Sequence, residues 1–134
     1  MANVKWNAQQ QQAIDARNGT ILVSAAAGSG KTAVLVERVI QMLTDKSANI
    51  KADQLLIVTF TNLAAEEMRI RINKRITQLL DQCTVDSNLD EEYLRNQQLL
   101  LERAHISTID SFCKDIVKTA YTRFDISPDY RIGD

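Results

Sequence analysis

The chain has 134 residues, a length suited to one compact domain or a piece of one. Its 45% hydrophobic and 25% charged content is that of an ordinary globular protein. With 16 basic against 17 acidic residues the net charge is -1, which excludes a global basic field for drawing in nucleic acid, so any such contact must come from a local patch.

Two cysteines, Cys83 and Cys113, form no C-x-x-C pair, and the single histidine, His105, offers no metal cluster with them. Both thiols therefore read as structural, in a reduced cytosolic setting. No apolar run approaches membrane-spanning length, the N-terminus lacks a signal-peptide core, and no internal repeat is visible.

In chain order, a short helix is predicted over 7–17, with Asn7 as N-cap and Asn18-Gly19 as its stop. Thr20-Ile21-Leu22-Val23-Ser24 predicts a strand feeding the stretch Ala25-Ala26-Ala27-Gly28-Ser29-Gly30-Lys31-Thr32. Strand, glycine-bearing loop, Gly-Lys-Thr and helix form the layout of a nucleotide phosphate cradle. Glycines let the backbone curl so that several N–H groups face phosphate oxygens, and the helix N-terminus adds partial positive charge. Lys31 is placed to neutralise the β- and γ-phosphates, and the Thr32 hydroxyl to hold Mg²⁺. The general pattern has glycine at its first position, where this chain has Ala25.

A helix over 31–43 follows, whose apolar Val34, Leu35, Val36, Val39, Ile40, Met42 and Leu43 wrap most of its surface. Residues 45–54 are polar and read as a connection. The continuous apolar run over 55–60 predicts a parallel strand covered on both faces. A long helix over 63–81 is capped by Thr61 or Asn62, with Met68, Ile72, Ile76 and Leu79 facing the core. On it, Arg69, Arg71, Lys74 and Arg75, with Glu66 and Glu67, read most simply as a solvated, salt-bridged face. After a turn over 83–88, Ser87-Asn88-Leu89-Asp90 resembles a capping box for a helix reaching about Arg103.

His105-Ile106-Ser107 predicts another short strand, with His105 structural or exposed. Thr108 or Asp110 starts a helix carrying Ile109, Phe112, Ile116, Val117 and Ala120, which Ser127-Pro128 ends. Tyr93, Tyr121 and Tyr130 read as core or rim residues. This alternation implies a three-layer α/β architecture with a parallel sheet. A motor also needs an acidic residue at a strand end to hold Mg²⁺ and polarise water, and no strand ending in Asp-Glu follows the loop. The expectation is therefore an N-terminal portion of a longer protein, with negligible ATPase activity by itself.

Three further strings carry a family resemblance. Asn7-Ala8-Gln9-Gln10-Gln11-Gln12-Ala13-Ile14 resembles the N-x-x-Q-x-x-A-[IV] element upstream of the phosphate loop in superfamily 1 helicases, where the glutamine, here Gln10, recognises adenine. The string from Thr59 through Phe60, Thr61 and Asn62 to Arg71 and Ile72 resembles motif Ia of the UvrD/Rep-like helicases, T-F-T-N-x-A-A-x-E-M-x-x-R-[IV]. Thr108-Ile109-Asp110-Ser111-Phe112-Cys113 resembles their T-[IF]-H-S-F-C element, with Asp110 where many relatives carry histidine. Within the superfamily, the string from Thr108 to Cys113 together with the early Trp6-Asn7-x-x-Gln10, and the closing Ile126-Ser127-Pro128-Asp129-Tyr130-Arg131-Ile132, resemble the AddA (RexA) family of bacterial helicase–nucleases.

That resemblance implies an incomplete RecA-like P-loop NTPase fold, the first motor lobe of an ATP-dependent 3′–5′ DNA helicase with exodeoxyribonuclease activity, acting in double-strand break repair and recombination. An inserted subdomain starting after about residue 114 is one arrangement of its C-terminal stretch. ATP and Mg²⁺ are the implied cofactors, held by Gln10, Ala25, Ala26, Ala27, Gly28, Ser29, Gly30, Lys31 and Thr32, with Lys31 and Thr32 catalytic and Thr32 on the metal. Phe60, Thr61, Asn62, Arg71, Thr108 and Ser111 are the implied DNA contacts. The implied partners are single-stranded or duplex-end DNA and a second, AddB-like (RexB) protein. A repair helicase without nuclease remains open. A small nucleoside kinase explains Lys31 and Thr32 but not Gln10 or the motif at Thr59, whereas a nucleotide- or DNA-binding module without catalysis describes the isolated chain operationally, since residues for binding are present and the hydrolytic carboxylate is not.

Overall fold

The computed structural model describes residues 5–26, 28–84, 89–123, 125 and 127. Helix α1 (Ala8–Asp15) opens on a reciprocal cap: Asn7 Oδ1 accepts from the Gln10 N–H at 2.8 Å, and Gln10 Oε1 accepts from the Asn7 N–H at 3.0 Å. Residues 20–26 form no strand. A strand requires a hydrogen-bonded neighbour, and this segment is paired with none among the described residues; its Leu22 is 92% exposed. The β-propensity of Ile21-Leu22-Val23 is there, but propensity without a ladder does not make a strand.

Helix α2 (Lys31–Thr44) runs one residue beyond its expected end. Val34, Val36, Val39, Ile40 and Leu43 are buried, while Leu35 is exposed. The polar connection contains two short 3₁₀ turns, Lys46–Ala48 and Ala52–Gln54. Asp45 accepts from the N–H of Ser47 and of Ala48 at the first of them.

Strand β1 (Leu56–Thr59) pairs in parallel with β2 (His105–Thr108), in the register Leu56–His105 through Thr59–Thr108. The expected parallel sheet is present as two strands. Burial of β1 on both faces is not: Ile57 is buried, but Leu56 is 51% exposed and Val58 is exposed as well. The helices cover one face of this ladder, which gives the strand an alternating pattern despite its continuous apolar sequence.

Helix α3 (Asn62–Leu80) is capped by Thr61, whose hydroxyl accepts from the Ala64 N–H at 3.1 Å. It buries Ala65, Met68, Ile72 and Ile76, the expected core stripe, with Leu79 partly buried against it. Helix α4 (Glu91–Leu101) stops two residues short of Arg103. Its cap is Asp90, which accepts from the Tyr93 N–H; Ser87 and Asn88 of the expected box lie outside the described residues. Helix α5 (Ile109–Ala120) is capped by Thr108 and buries none of its side chains, so Ile109 and Ile116 stay exposed. It ends in the 3₁₀ turn Tyr121–Arg123, and Pro128 and Tyr130 lie outside the described residues. One apolar cluster formed by α2, α3, both strands and the end of α4 holds these elements together.

The basic face of α3 is less solvated than its composition suggests. Arg71 does pair with Glu67 one turn away, in the open. Arg75 instead reaches Glu37 of α2 at 3.4 Å, partly buried. Arg69, half-buried, turns inward: it donates to the carbonyls of Leu101, at 3.0 Å, and Ala104, at 3.2 Å, where α4 ends and β2 begins. Helix-end carbonyls lack intrahelical partners, and an arginine from a packed helix supplies the donor. Cys113 is exposed, whereas Cys83 is half-buried and donates to the Leu79 carbonyl. His105 is exposed, with its ring edge-on to Phe112 at 6.0 Å.

Candidate nucleotide site and nucleic-acid edge

The loop before α2 turns on two left-handed residues, Gly28 (φ 76°) and Gly30 (φ 84°). A Cβ at Gly28 would meet nothing within 4 Å, so glycine is needed there for its dihedral rather than for space. Gly30 is the N-cap of α2 and supplies no side-chain acceptor. Helices α1, α3, α4 and α5 are capped by Asn7, Thr61, Asp90 and Thr108 respectively. The first N–H groups of α2 are therefore left to an external acceptor, at the positive end of the helix.

Lys31 and Thr32, the first two residues of α2, are both exposed. The Lys31 ammonium folds back and donates to the carbonyls of Ala25, at 2.6 Å, and Ala26, at 2.7 Å. The loop's own carbonyls thus hold the cation at the mouth of the cradle. Ala27 lies outside the described residues.

Gln10 arrives at the same place from α1. Its Nε2 donates to the Ser29 carbonyl at 3.2 Å, and it lines a cavity of about 130 Å³ together with Asn7, Ala25, Ser29 and Lys31. A carboxamide has two donor hydrogens and two acceptor sites. The Asn7 N–H takes one acceptor site and the Ser29 carbonyl one hydrogen. One donor and one acceptor remain, the pair that the amino and ring nitrogens along one adenine edge require. The donor set of glycine loop, uncapped helix start, lysine, hydroxyl and amide fits a nucleoside triphosphate with its Mg²⁺. No cluster of three or more His, Cys, Asp or Glu that could hold a metal by itself exists among the described residues.

The remaining site residues gather at the C-terminal edge of the two-stranded sheet. Phe60 leaves β1 fully in the open, 92% exposed, followed by exposed Thr61 and Asn62 at the start of α3. Thr108 ends β2 opposite Thr59 and caps α5; its hydroxyl accepts from the Ser111 N–H at 3.1 Å and donates to the Ser111 hydroxyl at 2.9 Å. Two helix N-termini therefore open side by side at one edge, with an exposed aromatic ring beside them. Thr61 and Thr108 spend their hydroxyl oxygens on capping, so what they offer a phosphate is chiefly the helix starts they organise. Arg71 lies two turns into α3, held by Glu67.

A family model matches this pattern over residues 6–134, the UvrD/REP helicase N-terminal domain. The chain belongs to that family. It is 48% identical over its whole length to the A-type polypeptide of the ATP-dependent helicase/nuclease of Clostridioides difficile and 49% identical to that of Clostridium beijerinckii. The protein of the same name from Listeria monocytogenes is 49% identical over 95% of the chain. In each case the chain spans about 10% of the length of the relative. The UvrD-like resemblance carried by Gln10, the phosphate loop and the string from Thr59 to Ile72 is thus a family membership.

Sequence reasoning missed three side chains that hold the site's scaffold. Arg38 of α2 donates to carbonyls at the end of α1, Arg69 closes α4, and buried Gln97 ties α4 to the connection after α2. All three partner backbone groups, which carry no residue-type signal. The one available hint for Arg38 was its position two helical turns after Lys31.

Proposed function

We propose that this chain is the ATP-binding and DNA-contacting first part of an AddA-type, ATP-dependent 3′–5′ DNA helicase–nuclease, acting on broken DNA ends in repair and recombination. The single observation that carries this reading is the convergence of Gln10, Ser29 and Lys31 on one cavity, from segments separated in sequence. A generic phosphate loop has no need of the α1 amide, and a base-reading NTPase does.

In this reading Lys31 leaves the Ala25 and Ala26 carbonyls for the β- and γ-phosphates, and the backbone of Ala25, Ala26, Gly28, Ser29 and Gly30 cradles them. Thr32 holds Mg²⁺, and Gln10 reads the adenine. The bound nucleotide supplies the phosphoanhydride whose hydrolysis drives a motor. The two strands and their flanking helices are the start of a RecA-like, three-layer lobe. Phe60, Thr61, Asn62, Arg71, Thr108 and Ser111 form the face presented to single-stranded DNA, with Phe60 as the stacking surface and the helix starts as phosphate sites. A second, AddB-like protein completes the enzyme, which works in the cytoplasm; among the described residues no helix is long and apolar enough to cross a membrane.

The test is nucleotide binding by calorimetry. ATP is expected to bind with Mg²⁺, and Lys31→Ala to remove that binding. ATP affinity unchanged by Lys31→Ala, or adenine selectivity unchanged by Gln10→Ala, refutes the reading.

A further inference from the structure

We propose that Arg38 is a positioning residue for the nucleotide base, which pins the Gln10-bearing helix α1 onto the Lys31-bearing helix α2. The inference rests on the nucleotide reading above and adds the element that sets the distance between its two halves.

Helix α1 has eight residues, too few to be stable alone in water. Its one fully buried side chain is Ile14, at 0% exposure. A single apolar anchor resists lifting but not rotation about itself. The ends of α1 must therefore be held separately. At the start, Gln10 is fixed by Asn7 and Ser29. At the end, Arg38 Nη1 donates to the carbonyls of Ala13, at 2.7 Å, and of Ala16. The Ile14 carbonyl lies at the far limit of the same nitrogen's reach, 3.4 Å. These are groups a helix end leaves without intrahelical donors, and the cation also meets the negative end of the helix.

Arg38 is half-buried and comes from another element, so these bonds fix α1 against α2. Arg17 also donates to the Ile14 and Ala16 carbonyls, but it is exposed and belongs to the same turn, so it cannot join two helices. Lys31, Val34, Leu35 and Arg38 follow one stripe of α2 and line a second cavity with Ala13 of α1. Phosphate lysine and clamp arginine thus stand on the same face of one helix, while Gln10 and the carbonyls that the clamp holds stand on the other. Arg38 sets where the amide can reach a base whose phosphates are already seated at Lys31.

The clamp acts on the base alone. It should leave phosphate binding intact, whereas a general loss of the fold would weaken both. Calorimetric titrations of wild type and Arg38→Met with ATP, GTP and inorganic tripolyphosphate, all with Mg²⁺, separate these cases. Methionine keeps the apolar stem and removes the donors. ATP affinity is expected to fall about tenfold, the factor carried by one well-made hydrogen bond, with GTP and tripolyphosphate unchanged. Adding Gln10→Ala to Arg38→Met should then cost ATP little more, because both act on the same contact. Arg38→Lys, which keeps ammonium donors on a shorter stem, should retain part of the ATP preference, and it carries the test if the methionine variant does not fold. An ATP-to-tripolyphosphate affinity ratio equal to wild type in either variant overturns the inference. So does an equal loss for all three ligands. A wild type that binds neither ATP nor tripolyphosphate overturns the nucleotide reading itself, and this inference with it.

Discussion

Thr59 and Thr108 stand opposite each other as the last pair of the parallel ladder. Because the strands run the same way, both deliver their chains to the same edge, and each passes into a threonine-capped helix within two residues. The motif at Thr59 and the motif at Thr108, far apart in sequence, thus become one surface. Parallel α/β sheets bind their ligands at this edge.

Phe60 at that edge is 92% exposed, so it can be removed without disturbing the core. Phe60→Ala is expected to weaken binding of a single-stranded oligonucleotide by about 1–3 kcal/mol, the range of one base–aromatic stack. Stability should stay within about 0.5 kcal/mol, as for other surface substitutions. Fluorescence anisotropy gives the first quantity and a urea titration the second. Unchanged DNA affinity removes Phe60 from the interface.

In the proposed nucleotide-bound state Lys31 exchanges its contacts to the Ala25 and Ala26 carbonyls for phosphate oxygens. Those contacts are exposed, so they contribute little to folding. Lys31→Ala should therefore unfold within about 0.5 kcal/mol of wild type while losing ATP binding. A large stability loss would mean that the lysine holds the loop together rather than serving the ligand.

Gln97 is 2% exposed, and its carboxamide lies within hydrogen-bond distance of four groups, the two Nε2 hydrogens being shared among three acceptors. Its Oε1 accepts from the Ala52 N–H at 2.9 Å, and its Nε2 faces the carbonyls of Leu43 and Ile50 and the hydroxyl of Tyr93. Gln97→Met keeps the unbranched shape but strands the buried Ala52 N–H and at least one carbonyl. At about 1–3 kcal/mol for each buried group left without a partner, the expected loss is about 3 kcal/mol. That corresponds to a melting point lower by roughly 10 °C, readable by circular dichroism. A shift of only a degree or two would mean that water replaces the amide.

Local signals read correctly where the physics is local. Asn7, Thr61 and Thr108 are cap residues whose acceptors need only their own next turn, and each caps the helix expected of it. The stripe Met68, Ile72 and Ile76 is set by helical spacing alone. What failed depends on neighbours distant in sequence. Ile21-Leu22-Val23 has strand character but no paired strand, and Leu56 and Val58 have apolar side chains with no layer over them. Arg69 looked like surface charge because its partners are carbonyls, which every residue has. The meeting of Gln10 with the glycine loop, on which the proposed nucleotide site rests, was legible from their motifs, but the Arg38 bonds that join their helices were not.

Asp90 joins two jobs, capping α4 and pairing with Lys46 at 2.5 Å. The Lys46 hydrogen bond, followed by that of the Tyr93 N–H, holds its carboxyl below the ordinary value of 3.8. A carboxylate whose folded value is depressed adds stability that is fully present above its unfolded value. That stability is lost as pH falls through the folded one. Asp90→Asn keeps the cap acceptor and removes only the charge. Wild type should therefore be the more stable of the two at neutral pH. The difference should begin to shrink below about pH 4 and vanish once the folded carboxyl is protonated. Paired urea midpoints taken from neutral pH down to about pH 2.5 in low salt measure it. A difference that persists undiminished to the acid end would show that Asp90 acts through shape, not charge.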